Sequence, residues 1–215
     1  VLQANVTGQL SWLLLPNAVV LGNGLGERQS GRDMVANPNP FQILLTTPEP
    51  AALGPERRAG TLPVAALEAR LEGLLAAMPV PAARQPLVRA LTLLWHDHLD
   101  AAHALVQSRP EPEAGFIHAM MHRREPDYWN SKYWWRRVGA HAVFAELAHR
   151  AQPRLTAHLR AVTNNAAAAL IRNARWQPET FVDLCAAATT GAPTAELRAL
   201  QQMEFETLLE FLIRP

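Results

Sequence analysis

Cysteine is nearly missing from this sequence of 215 residues: one residue, Cys185, excludes an internal disulfide and a cysteine-only metal cluster and fits a reducing, cytoplasmic setting. Charge of one sign is missing too. Twenty Lys and Arg stand against 19 Asp and Glu, a net charge of +1, which argues against nucleic acid as a partner and against a basic membrane-binding surface. No long apolar run occurs. The stretch from Leu10 to Leu21 is broken by Pro16 and Asn17 and has no Lys or Arg before it, so neither a membrane span nor a secretory signal is expected. Lysine is reduced to Lys132, which sits between the only two tyrosines, Tyr128 and Tyr133, and beside Trp129, Trp134 and Trp135.

What is there is apolar mass. With 49% hydrophobic and 18% charged residues the chain is globular rather than disordered, collagen-like or a disulfide-stapled mini-protein. Residues 1–60 hold seven of the 11 glycines and proline-bounded stretches such as NPNPF and TPEP, so they read as a loop-rich, poorly structured segment that the rest of the chain can dispense with. Its GNGLG run spaces glycines as G-x-G-x-G, which is not the dinucleotide fingerprint.

From residue 61 apolar residues recur at spacings of three and four, which predicts an α-helical domain over 61–215. Helices are expected over Val64–Met78, Arg84–Val106, Glu113–Arg124, Tyr128–Val138, His141–Arg150, Arg154–Arg175, Pro178–Ala188 and Pro193–Ile213. Asp127 is placed to cap the fourth and Gly139 to end it. The fold class is therefore all-α, an irregular bundle of seven or eight helices.

Three constellations could carry chemistry. On one helix from 84 to 106, His96, Asp100 and His103 share a polar arc. His118 and His122 stand four apart, the spacing that aims two imidazoles at one ion, although no H-E-x-x-H motif is present. The turn around Pro110 and Pro112 predicts an antiparallel helix pair that brings the arc opposite that pair. Together the five residues form a donor set that Zn²⁺, Fe²⁺ or Mn²⁺ would accept as cofactor; a metal-free polar pocket is the other reading. The third constellation is residues 122–141, where Arg123, Arg124, Lys132, Arg136 and Arg137 interleave with aromatics. Arginine forks and a lysine point charge suit the carboxylate or phosphate of a small anionic ligand. If Lys132 serves that purpose, Lys132→Arg should impair binding. The alternative is that the tryptophans are core and the arginines pair with carboxylates.

The strings WHDHLDAAH, GFIHAMMHRREPDYWNSKYWWRRVG and WQPETFVDLC resemble a family of uncharacterised bacterial and fungal proteins, over about residues 85–212. The resemblance rests on a motif of the form H-R-R-E-x-D-x-x-N-x-K-Y-W-F-R-R-V-G, matched by His122, Arg123, Arg124, Glu125, Asp127, Asn130, Lys132, Tyr133, Trp134, Arg136, Arg137, Val138 and Gly139, with Trp135 in place of the phenylalanine. It implies no reaction. Asp127 and Asn130 join the ligand-binding candidates through this motif.

The expectation drawn from these residues is an enzyme, a metal-assisted hydrolase or lyase acting on a phosphorylated or carboxylated small molecule. A histidine, His122, or Glu125 would be the general base, Tyr133 or a second histidine the proton donor, and the arginines the anion clamp. The alternative is a non-catalytic module that uses the same cationic and aromatic pocket to bind a metabolite or an acidic segment of another protein.

Overall fold

The computed structural model describes residues 39–155, 169–188 and 194–215, all within a unit that runs from Pro38 to Pro215. The expectations for residues 1–38 and for the middle of the 154–175 helix lie outside the described residues. A 3-10 turn, Pro40–Leu45, precedes α1 (Val64–Ala77), α2 (Gln85–Trp95), α3 (Leu99–Val106), α4 (Pro112–Arg124), α5 (Tyr128–Val138) and α6 (Val143–Arg154). The strands β1 (Ile171–Arg172) and β2 (Arg175–Trp176) follow, and then α7 (Pro178–Ala188) and α8 (Thr194–Leu212). Among the described residues the protein is all-α apart from this ribbon. Among the described residues no helix is long and apolar enough to cross a membrane.

Two departures from the expected helices have specific causes. The ribbon pairs Ile171 with Trp176 and Arg172 with Arg175, and it turns at Asn173 and Ala174, which have φ of 50° and 54°. Two left-handed residues in succession match the twist of a two-residue hairpin and end any helix before Arg175. The expected helix from 84 to 106 is two helices, broken at Asp97 with φ of 65°. Asp97 leaves the helical region because its carboxylate, with no side-chain exposure, accepts hydrogen bonds from the Arg58 Nε and backbone N–H at 2.9 Å and from Arg124 Nη2 at 2.6 Å. Both halves bury an apolar face, so the hydrophobic period runs on across the break.

The boundary expected at residue 60 is also corrected. Phe41, Leu44, Leu45 and Ala51 are buried in the same core as α2, α4 and α8. The strap is also tied down by hydrogen bonds: the Thr47 Oγ1 side chain accepts from Trp95 Nε1 at 3.1 Å, and Gln201 Nε2 donates to the Ala51 and Ala52 backbone carbonyls at 3.0 Å. A segment ordered by hydrogen bonds and four apolar anchors has no helical period, which is why its sequence reads as loop.

The centre of the bundle is α4, in which every residue from Ala114 to Arg124 is buried. Its closest neighbour is α5. At Gly115 a Cβ would lie 3.2 Å from Val138 Cγ2, so the absent side chain lets the two helices approach, and Ser131 Oγ donates to the Ala119 carbonyl at 2.7 Å. Asp127 caps α5 by accepting from the Asn130 N–H at 3.2 Å. Gly139, with φ of 63°, ends it. These contacts seat α5 over the histidines of α4.

Candidate metal centre

His118 and His122 lie one turn apart on α4 and stack at 4.7 Å between ring centroids. The turn between α3 and α4 brings in His103, whose ring lies 4.7 Å from His118 and 5.5 Å from His122. One ligand nitrogen from each of the three lies within 4.8 Å of the other two. Trp134 of α5 covers the group by stacking on His118 at 4.0 Å. Its neighbour one turn earlier, Asn130, places its amide nitrogen 3.1 Å from His122 Nε2.

Hydrogen bonding fixes the state of His122. Its Nδ1 lies 3.0 Å from Glu125 Oε2 and 4.0 Å from Asp127 Oδ2, so the proton sits on Nδ1 and the lone pair of Nε2 faces Asn130 and the other histidines. Burial lowers the His122 pKa, against the pull of Glu125. His118 is 3% exposed, and its Nδ1 has no hydrogen-bond partner among the described residues. Burial, reinforced by His122 and His103, pushes its pKa down to about 3. A neutral imidazole with an unused buried nitrogen is the form that binds a metal ion.

A tetrahedral ion with Zn–N bonds of ~2.0–2.1 Å needs its nitrogens ~3.4 Å apart. The three rings would have to move inward by about an ångström to hold such an ion, and His103 is the partly exposed member of the group. The carboxylate on His122 Nδ1 supplies the second contact that a metal-bound histidine usually makes.

The remaining candidates go elsewhere. His96 does not join the cluster: its Nδ1 accepts from the Leu62 N–H at 3.1 Å and its Nε2 donates to the Leu44 carbonyl at 3.1 Å, so no lone pair remains for a metal. Burial takes its pKa to about 4. The helix break at Asp97 turned it away from His103. Asp100 is exposed and lines an open cleft of about 400 Å³ with His98, Pro55 and Glu125. It is not among the converging ligands, but Glu125 connects this cleft to His122.

The expected five-residue anion clamp is corrected, because its members point into different parts of the protein. Arg123, 1% exposed, pairs with fully buried Glu204 at 2.5 Å and lies over the Phe181 ring, while Trp176 Nε1 donates to Glu204 at 3.2 Å. Arg124, fully buried, is held by Asp97 and by the Leu94 and Gly54 carbonyls. Lys132 pairs with Asp183 at 2.5 Å and Arg136 with Glu179 at 2.8 Å, both reaching across to α7. Arg137 donates to the Tyr133 hydroxyl at 3.3 Å and lies over Trp134. Tyr133 meets Trp129 and Trp134 rather than the histidines, which removes it as proton donor to the cluster. Cys185 is buried, and burial pushes its thiol up to about 12.

The sequence reading missed Trp134 as the cover of His118 and Asp97 as the partner of Arg124, whereas an inward reach of Glu204 to an arginine could be read from it and is seen at Arg123. The spacing of Asn130 and Trp134, four apart behind an Asp cap, is the signal that puts both on one helix face. Comparison of the chain with protein families, with curated proteins and with solved structures found no match.

Proposed function

We propose that the chain is a metal-assisted hydrolase or lyase whose divalent ion is held by His103, His118 and His122. The observation that carries this reading is the convergence of three imidazoles, one of which, His118, has a buried ring nitrogen without a partner among the described residues. Buried imidazoles packed against one another leave ring nitrogens without partners, and a cation supplies what is missing. An ion with three histidine ligands keeps a fourth position for water or substrate, lowers the pKa of that water and polarises a carbonyl or phosphoryl oxygen. The substrate is a small carboxylated or phosphorylated molecule, and the ion replaces the arginines as the group that holds its oxygen.

Glu125 acts here by fixing the tautomer of His122, a positioning role in place of the expected general base. Asn130 gives up its hydrogen bond to Nε2 when the ion arrives, which frees its amide for the bound molecule.

The test is the metal content of protein purified without a histidine tag. About one equivalent is expected, lost in His118→Ala and His122→Ala and kept in His98→Ala, whose Nε2 donates to the Leu62 carbonyl outside the cluster. Folded protein that stays metal-free, and whose melting temperature does not rise on adding Zn²⁺, Mn²⁺ or Fe²⁺, would refute the proposal. A second reading, a non-catalytic binding module, has one observation in its favour: Trp129 is 74% exposed and lies parallel to the exposed Tyr133 beside Arg137. Metal-free protein that still binds a partner through this face would favour it.

A further inference from the structure

A second cleft, of about 340 Å³, opens where the last turn of α5 meets the ribbon and the first turn of α7. Its volume falls in the range of small-molecule sites. It is separate from the histidines, none of which lines it. What distinguishes it is a group of hydrogen-bond donors that have no partner among the described residues.

Trp135 lines the cleft, is 2% exposed, and its indole N–H is buried with no hydrogen-bond partner among the described residues. Buried indole nitrogens normally find an acceptor. Arg175, exposed on β2, lines the same cleft, and its guanidinium makes no ion pair or hydrogen bond among the described residues. Arg136 gives Nε and Nη2 to Glu179 Oε2 at 3.1 and 2.8 Å, which neutralises Glu179 and leaves Nη1 free. The start of α7 adds backbone N–H groups at Glu179 and Thr180 that have no partner within the helix, behind a Pro178 that needs none. At Gly139, on the rim, a Cβ would meet nothing within 4 Å, so this wall is open. After the Arg136–Glu179 pair is set aside, one positive charge remains uncompensated, on Arg175.

We propose that this cleft binds the oxyanion group of a small molecule, a carboxylate or a phosphate. Arg175 supplies the charge, the α7 N-terminus and the Trp135 N–H supply directed hydrogen bonds, and the flanks of Trp135 and Trp176 accept an apolar body. The donors form a complete set for an acceptor-only group, and the one carboxylate present is already engaged. The inference does not depend on the metal centre.

The full-length chain is titrated with inorganic phosphate and with benzoate at constant ionic strength, against chloride, with the melting temperature and tryptophan fluorescence as readouts. The His118→Ala background removes binding at the histidines. A saturable rise in melting temperature is expected with at least one anion: phosphate alone identifies a phosphoryl ligand, benzoate alone a carboxylate on an apolar body, and both a general oxyanion site. Arg175→Ala and Trp135→Phe should each raise the apparent Kd about tenfold or more, and Arg172→Ala, on the other strand, should leave it unchanged. Because Arg175 is exposed, its variant keeps the test valid even if Trp135→Phe fails to fold. The proposal is overturned if neither anion gives a saturable shift, if Arg175→Ala leaves the response intact, or if His118→Ala abolishes it.

Discussion

Replacing Asp97 by Asn removes one negative charge from a place where two guanidiniums converge, and it keeps a residue that tolerates the left-handed backbone. The Asp97 and Arg124 side chains have no exposure and the Arg58 side chain has 9%. Losing one partner of a buried ion pair costs about 3–5 kcal/mol. That is a large share of a net stability of ~5–15 kcal/mol and corresponds to a fall in Tm of roughly 6–20 °C for a domain of this size. Thermal and urea unfolding followed by circular dichroism at pH 7 read the effect. Glu179→Gln serves as the control, since its pair with Arg136 is 42% and 59% exposed and is worth at most about 1 kcal/mol. Burial alone would push the Asp97 carboxyl up, but the hydrogen bonds from Arg58 and Arg124 outweigh it and hold the pKa below 3.8. A carboxyl lowered by folding stabilises above its unfolded pKa, and the contribution disappears as pH falls through the folded value. The gap between the two proteins should be full at neutral pH and close only in strong acid. A variant that melts within about 2 °C of the parent at pH 7 would refute the assignment of Asp97 as the hub between the strap and α4.

Two further outcomes follow from the same contacts. Removing residues 1–60 strips Phe41, Leu44 and Leu45 from the core and Arg58 from Asp97, so the shortened chain should lose its cooperative thermal transition; a retained transition would return the boundary to residue 60. Lys132→Arg, expected from the sequence to be damaging, should change Tm by less than about 2 °C, because Asp183 opposite is 65% exposed and a guanidinium reaches it equally well. A larger loss would mean that the Lys132–Asp183 pair carries more of the fold than its exposure implies.

The helices from Val64, Glu113, Tyr128 and Pro178 were legible because their apolar faces recur with a period near 3.6 and their ends carry Pro, Asp and Gly signals. The His118 and His122 pair, and the approach of His103 to it, followed from one spacing and one short turn. The break at Asp97 was hidden because it depends on Arg58 and Arg124, which lie 39 and 27 residues away and carry no local signature. The same held for the motif arginines. A cluster of Arg and aromatic residues reads as a ligand clamp until Glu204 and Asp97 are seen to neutralise the two that point inward. The strap over residues 39–60 was misread because order there comes from anchors and backbone acceptors rather than from periodicity.

The most direct test of the metal centre is X-ray absorption at the metal edge of protein loaded with one equivalent of Zn²⁺, compared with the His103→Ala protein. The account predicts three imidazole nitrogens at ~2.0–2.1 Å plus one light oxygen-type ligand, with one imidazole lost in the variant. A shell with fewer than three imidazoles, or one that His103→Ala leaves unchanged, would contradict it.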